Sequence, residues 1–268
     1  MNTRRLLPAT VRLLPSTFCL VLLALTAGNA AAQDFQWHGA IARGQTLEIK
    51  GVNGDIRAEP SGSNEVEVVA VKRARRDNPD SVRIEVVPHG AGVTICSVYP
   101  ARDGQRPNEC APGDGGRMNA QNNDVSVRFI VKVPAGVALV GKTVNGQIDA
   151  QRLNGDLVLH TVNGSVTFST TAGARANTVN GSIHGEMGRA DWSNTLEMAT
   201  VNGSITLTLP NGLNTDVKAS TVNGDISTDF PMTISGRISR RRIEGTIGGG
   251  GRLLSLDSVN GSITLKRE

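Results

Sequence analysis

Aromatic residues are scarce in this 268-residue chain, which has two Trp, one Tyr and five Phe. Recognition of bases or sugar rings leans on stacked aromatic faces, so the deficit argues against such a platform. Nor is there a long amphipathic helical period anywhere. Beyond the first 32 residues, no stretch approaches the roughly 20 apolar residues that span a bilayer. Four histidines, His38, His89, His160 and His184, show neither metal-ligand nor triad-like spacing. A nucleophile elbow is absent, and so is the glycine-rich nonapeptide that binds calcium. Gly248 to Gly251 lacks the Asp such a motif needs. These absences disfavour helical membrane proteins, base-stacking proteins and common hydrolases.

What is present begins with an export signal over residues 1–32. Arg4, Arg5 and Arg12 precede the apolar run Phe18 to Leu25, and Ala30-Ala31-Ala32 supplies a cleavage site, so the mature chain is expected to start at Gln33. Thr3-Arg4-Arg5-Leu6-Leu7 echoes a twin-arginine signal, but the strong apolar run favours ordinary secretion. Losing three Arg takes the net charge from +4 to +1, which removes the electrostatic reason to expect nucleic acid. Cys19 lies within the apolar run and no cysteine stands immediately after the cleavage site, so a lipid anchor is not expected. Cys96 and Cys110 remain, and an even count in an exported chain points to a disulfide. Its closure would be worth about 3 kcal/mol in the chain-entropy model. A metal site with His89 as third ligand is the alternative, although the spacing fits no zinc pattern.

The strongest signal is a repeat. Val-Asn-Gly occurs seven times, with Asn at 53, 145, 163, 180, 202, 223 and 260. Leu153-Asn154-Gly155 reads as a mid-coil variant and Ile243-Glu244-Gly245-Thr246-Ile247 as a degenerate copy. Successive units from 145 onward are 16–22 residues apart, the length of one turn of a small β-solenoid. Two-residue Asn-Gly hairpins would mix polar and apolar groups on both faces. A single extended strand instead puts Val201, Gly203, Ile205, Leu207 and Leu209 inward, and Thr200, Asn202, Ser204 and Thr206 outward. On that reading Gly lies where the strand bends or another backbone approaches. Stacked coils would then align Asn145, Asn163, Asn180, Asn202, Asn223 and Asn260 into an amide ladder that fixes register, while the inward Val and Ile supply the burial energy.

The reading divides the chain into the signal (1–32), an irregular N-terminal β region with a disulfide loop (33–134) and a repeat solenoid (135–268). Within the middle part, Leu47 to Ile56 carries the first Val-Asn-Gly copy, and Glu65 to Val71 is Val-rich. Arg83 to Val87 and Val93 to Tyr99 form a strand pair, and Val125 to Val133 alternates up to Pro134. Pro100 to Asp124 is a polar Gly/Pro/Asn loop, which at this length is either functional or poorly ordered. The expected class is all-β throughout.

The Thr-Val-Asn-Gly-Ser/Asp-Ile units at 143–148, 161–166, 178–183, 200–205 and 221–226, behind a signal peptide, resemble the bacterial adhesin-like family of unknown function. The likeness covers residues 40–268, more weakly before 140. It implies a β-helix-like solenoid exported to the periplasm or cell surface, without enzymatic activity. The Cys96–Cys110 loop matches nothing in that pattern.

Other features divide between function and architecture. β-Helices also host polysaccharide-active enzymes, which need clustered carboxylates. Asp55, Asp156 and Asp225 follow Gly and could align, but Ser takes that place in four copies. Lys72, Arg73, Arg75 and Arg76, with Arg237, Arg240, Arg241 and Arg242, could meet lipid headgroups or acidic polysaccharide; as solvated strand ends they would discourage edge pairing. Trp192 either contacts a ligand or covers a coil edge. The Asn-Gly-Ser sequons are explained by the repeat. No cofactor is implied. The leading reading is a non-catalytic envelope module that binds polysaccharide, headgroups or another envelope protein, with a polysaccharide-active enzyme or an envelope-stress signalling component as rivals.

Overall fold

The computed structural model describes residues 35–101, 104–192, 196–235 and 239–268. The expected signal (1–32), with Cys19, and Arg237 lie outside the described residues. Alternation of apolar and polar positions makes nearly every element a strand. The first are β1 (Phe35–Ala40), β2 (Thr46–Lys50), β3 (Ile56–Pro60), β4 (Glu65–Arg73), β5 (Arg83–His89), β6 (Gly92–Val98) and β7 (Ser126–Val133). Next come β8 (Ala138–Lys142), β9 (Ile148–Leu153), β10 (Leu157–His160), β11 (Val166–Thr170), β12 (Ala174–Asn180) and β13 (Ile183–Met187). β14 (Leu196–Asn202), β15 (Ile205–Leu209), β16 (Thr215–Asn223) and β17 (Ile226–Thr228) continue the pattern. β18 (Met232–Ile234), β19 (Arg242–Ile247), β20 (Leu253–Asn260) and β21 (Ile263–Arg267) complete the chain. Among the described residues the only helical element is a 3-10 turn, Pro79–Ser81.

These strands form a flattened β-solenoid. From β8 to β17 the chain alternates between two sheets, ordered β1-β4-β7-β3-β9-β11-β13-β15-β21-β17 and β18-β19-β16-β20-β14-β12-β10-β8-β2-β6-β5. Each coil lies parallel to the next, so like residues stack: Ile148 on Val166, Val166 on Ile183, Ile183 on Ile205 and Ile205 on Ile263. Between the sheets lies one apolar core that includes Phe129, Phe168, Leu139, Leu159, Ile183 and Leu207. Inward residues of this size contribute about 1.5–3 kcal/mol each when fully buried, so burial dominates the stability.

The coils do not stack in chain order at the C-terminal end. β20 inserts between β14 and β16, and β21 between β15 and β17. The segment 243–247 is therefore not a repeat unit. It lies in β19, antiparallel to β16, where Ile243 faces Ala219 and Glu244 faces Lys218. Antiparallel pairs also close the other end, β1 with β4, β4 with β7 and β5 with β6.

The parity expected for Val-Asn-Gly is corrected by the structure in six of the seven copies, Val52 of the first being buried. Val144, Val162, Val179, Val201, Val222 and Val259 are all exposed, whereas Thr143, Thr161, Thr178, Thr200, Thr221 and Ser258 are buried. The triplet is a corner between the two sheets, neither a hairpin nor a continuous strand. Alternation runs inward to Thr200, breaks over Val201-Asn202-Gly203-Ser204, and resumes inward at Ile205.

That corner explains the choice of residues. The Thr200 hydroxyl donates to the Gly181 carbonyl of the preceding coil (2.8 Å). Equivalent bonds join Thr161 to Gly146, Thr178 to Gly164 and Thr221 to Gly261, each 2.8 Å. A Cβ on Gly203 would overlap that same Gly181 carbonyl, so the close backbone approach requires glycine. Asn side chains run outside in one unbroken row. Asn145 donates to Asn53, Asn163 to Asn145, Asn180 to Asn163, Asn202 to Asn180, Asn260 to Asn202 and Asn223 to Asn260, each at 2.8 Å. The residue after Gly is an acceptor: Ser182 and Ser204 backbone N–H groups donate to Ser165 and Ser182 hydroxyls (3.2 Å), and Gln147 N–H to Asp55 (3.0 Å). An acceptor requirement accounts for the exchange of Ser with Asp.

Candidate functional site

The repeat is interrupted by the segment between β6 and β7, and the most developed polar site lies beneath it. Cys96, at the buried end of β6, is disulfide-bonded to Cys110, with Cα atoms 5.7 Å apart. From there residues 111–118 form a strap over the outer face of β2 and β8. Asn108 anchors the strap by donating to the carbonyls of Tyr99 (2.9 Å) and Asn119 (2.7 Å). Tyr99 in turn donates to the Val125 carbonyl (2.8 Å), and burial pushes its phenol up to about 12.

Glu48 on β2 holds the strap in place. Its side chain is 5% exposed, yet it carries charge partners on both sides: Lys142 Nζ at 3.2 Å and Lys50 Nζ at 3.9 Å. Glu48 Oε2 accepts from the Gly113 backbone N–H and from the Thr94 hydroxyl, both at 2.9 Å. Lys50 donates to the carbonyls of Ala111 and Gly115, and Lys142 to that of Gly113 (2.9 Å). Three strap carbonyls, those of Ala111, Gly113 and Gly115, thus meet a lysine, and each buried charge has a partner, the condition under which such a cluster is tolerated. Burial lowers the Lys50 pKa, Glu48 opposes that shift, and Lys142 adds to it.

Beside the strap runs an open groove of about 820 Å³. Val140 and Val158 form part of its lining, with His89, Lys142, His160, Arg175 and Asp114 around them. His89 Nε2 lies 3.1 Å from the Thr94 hydroxyl, which completes a Glu48–Thr94–His89 chain of hydrogen bonds. Burial lowers the His160 pKa, assisted by Lys142 and Arg175, and the Asn177 amide lies 3.3 Å from its Nδ1. Arg175 pairs with Glu197 at 3.0 Å. The groove is therefore lined by two imidazoles, two cations and an exposed carboxylate over an apolar floor. Such a surface can bind polar ligands through several side-chain donors.

The structure places the sequence candidates elsewhere. Lys72, at the end of β4, is mostly buried against Asp80 (3.2 Å) and the Val82 carbonyl (3.3 Å). Arg76 lies 3.6 Å from Asp124, while Arg73 and Arg75 share its open depression. Arg240, Arg241 and Arg242 sit by β19, and Arg242 is bonded to Glu244 (2.7 Å). β4 and β19 occupy opposite ends of the strand order, so the two basic clusters do not converge. The carboxylates do not gather either. Asp156 lies at the other corner, where it accepts from Gly173 N–H (2.8 Å), and Asp55 and Asp225 follow Asn53 and Asn223, the two ends of the Asn row. Trp192 is buried (2% exposed), so it covers a coil edge. His89 bonds to Thr94, and Cys96 and Cys110 to each other, so the metal alternative for these three is displaced.

Residues 120–266 match the family model described as Toastrack DUF4097. Among solved structures, the chain is similar to a cell-adhesion-like protein from Clostridium sporogenes ATCC 15579, with 10% identity, TM-score 0.47, and coverage of 88% of this chain and 100% of the other. An adhesin-like protein from Bacteroides fragilis NCTC 9343 is similar at 12% identity and TM-score 0.35, covering 88% of this chain and 98% of its own. No curated protein matches.

Proposed function

The chain belongs to the Toastrack DUF4097 family, and on that footing we propose that it is an exported, non-enzymatic binding module of the bacterial envelope. The observation that carries this reading is how the polar groups divide. In the coils, Thr hydroxyls bond to Gly carbonyls, Asn amides to Asn amides, and Ser or Asp oxygens to backbone N–H groups. These residues hold the stack. Non-repeating charged and imidazole side chains concentrate at the strap groove, and that is where we place the contact with a partner. Envelope polysaccharide, lipid headgroups or another envelope protein are the partner classes considered. The separation of Asp156 from Asp55 and Asp225 speaks against the polysaccharide-active enzyme, whose chemistry needs carboxylates on one site.

The test has two readouts. Fractionation with N-terminal sequencing should recover the mature chain from the envelope, beginning at Gln33. Retention of that chain on purified envelope material should fall at least tenfold in the double variant His160→Glu/Arg175→Glu. It should hold in Arg73→Glu/Arg75→Glu. Cytoplasmic recovery of an unprocessed chain, or loss of retention only in the second variant, would overturn the proposal.

A further inference from the structure

The Asn row has a polarity. Each Asn side-chain amide donates toward the Asn53 end, whereas each Gly backbone N–H donates the other way, toward the Asn223 end. Gly54 N–H bonds to the Asn145 carbonyl (2.8 Å), Gly146 to Asn163 (3.1 Å), and Gly164 to Asn180, Gly181 to Asn202, Gly203 to Asn260 and Gly261 to Asn223 (each 3.0 Å). Asn223 is the last rung. Its own amide donates to Asn260 (2.8 Å), but among the described residues no donor reaches its Oδ1 and the Gly224 N–H has no acceptor. Val222 beside it is 54% exposed, against 37–39% for the valines of the other five exposed rungs.

That difference matters because Asn-Gly is a reactive dipeptide. The glycine nitrogen, once deprotonated, can form a bond to the Asn side-chain Cγ. The Cγ–Nδ2 bond then breaks, ammonia leaves, and a five-membered succinimide remains. Water opens either carbonyl of that ring to give aspartate or isoaspartate, so water is the only co-reactant. Glycine permits the cyclisation because it has no Cβ to crowd the approach. A Gly N–H bonded to the next coil cannot lose its proton without breaking that bond, nor can it swing toward Cγ. An Asn amide held by neighbours on both sides cannot turn to meet it.

We infer that Asn223 is the deamidation site of the Val-Asn-Gly set, and that the six other members are held inert by their place in the stack. Conversion at Asn223 would exchange the amide donor facing Asn260 for a carboxylate, so the terminal coil would lose this one of its side-chain ties as the protein ages, while Thr221 to Gly261 and Ser220 to Asp257 remain. The inference rests on the stacking geometry and stands whatever the groove binds.

Peptide mapping by mass spectrometry, with isoaspartate detection, tests it on the mature wild-type protein incubated at neutral to mildly alkaline pH. Asn223 should convert at least tenfold faster than Asn163, Asn180 and Asn202. A parallel sample held unfolded in urea should bring the four rates together, because all four are then plain Asn-Gly dipeptides. A rate at Asn223 within threefold of the interior sites in the folded protein would overturn the inference. So would retention of the tenfold preference in urea.

Discussion

The hydroxyl of Thr200 lies 2.8 Å from the carbonyl of Gly181, one coil earlier, and its side chain points into the core while Val201 points into solvent. Thr200→Val should therefore cost about 1–3 kcal/mol, since the part-buried carbonyl loses its side-chain donor. Val201→Ser should stay within about 0.5 kcal/mol of wild type, as exposed substitutions do. Urea unfolding of the two variants checks the pair. A larger loss at Val201 would restore the inward-Val parity.

Ile205 is fully buried and stacked between Ile183 and Ile263. Ile205→Asp places an unpaired charge in that core and should abolish the cooperative transition. Asn202→Ala removes two exposed amide bonds, to Asn180 and from Asn260, and should cost about 1–2 kcal/mol. Circular dichroism during thermal unfolding distinguishes these outcomes, and the reverse ranking would contradict the division between burial and register.

Glu48 faces two lysines and the Gly113 N–H. Its replacement by Ala leaves Lys50 buried without a counter-charge, at a cost of about 3–5 kcal/mol. Reduction of Cys96–Cys110, which closes a 14-residue separation, should cost about 3 kcal/mol. Both changes should expose the strap to limited proteolysis between residues 111 and 118. Unchanged cleavage would mean that neither device holds it.

Burial, with Lys142 and Arg175, keeps His160 below its ordinary pKa of 6.5, against the opposing Asp114 and Glu197. As pH falls below 6.5 the unfolded chain takes up this proton before the folded one does. The contribution is therefore complete above that pH and is lost on acidification, until the folded imidazole also titrates. Between pH 7.5 and 5.0 the melting temperature of wild type should fall more than that of His160→Gln. Parallel curves would remove His160 from the acid response.

Much of the architecture was legible from the chain. The alternating runs at Val125–Val133 and Arg83–Tyr99 appear as β7 and the β5–β6 pair, and the recurrence of Val-Asn-Gly announced a solenoid. The facing of Val201 was not legible, because a corner breaks the two-residue period within four residues and either parity fits the letters. Nor was the order of the last coils, since the insertion of β20 between β14 and β16 is a tertiary choice among near-identical edges. The groove was hidden for a different reason. Glu48, Thr94, Gly113 and Lys142 come from four separate segments, and none carries a motif. Glu48 and Lys142 meet only because β2 pairs with β8, a contact between residues 94 positions apart that the repeat pattern does not announce.

Amide hydrogen exchange at the repeat glycines tests most directly whether Val-Asn-Gly builds inter-coil corners. In a two-residue hairpin the glycine N–H would face solvent, whereas here it bonds to the next coil. The corner geometry predicts that Gly146, Gly164, Gly181 and Gly203 exchange at least a hundredfold more slowly than Gly224. Uniformly fast exchange at all five would contradict it.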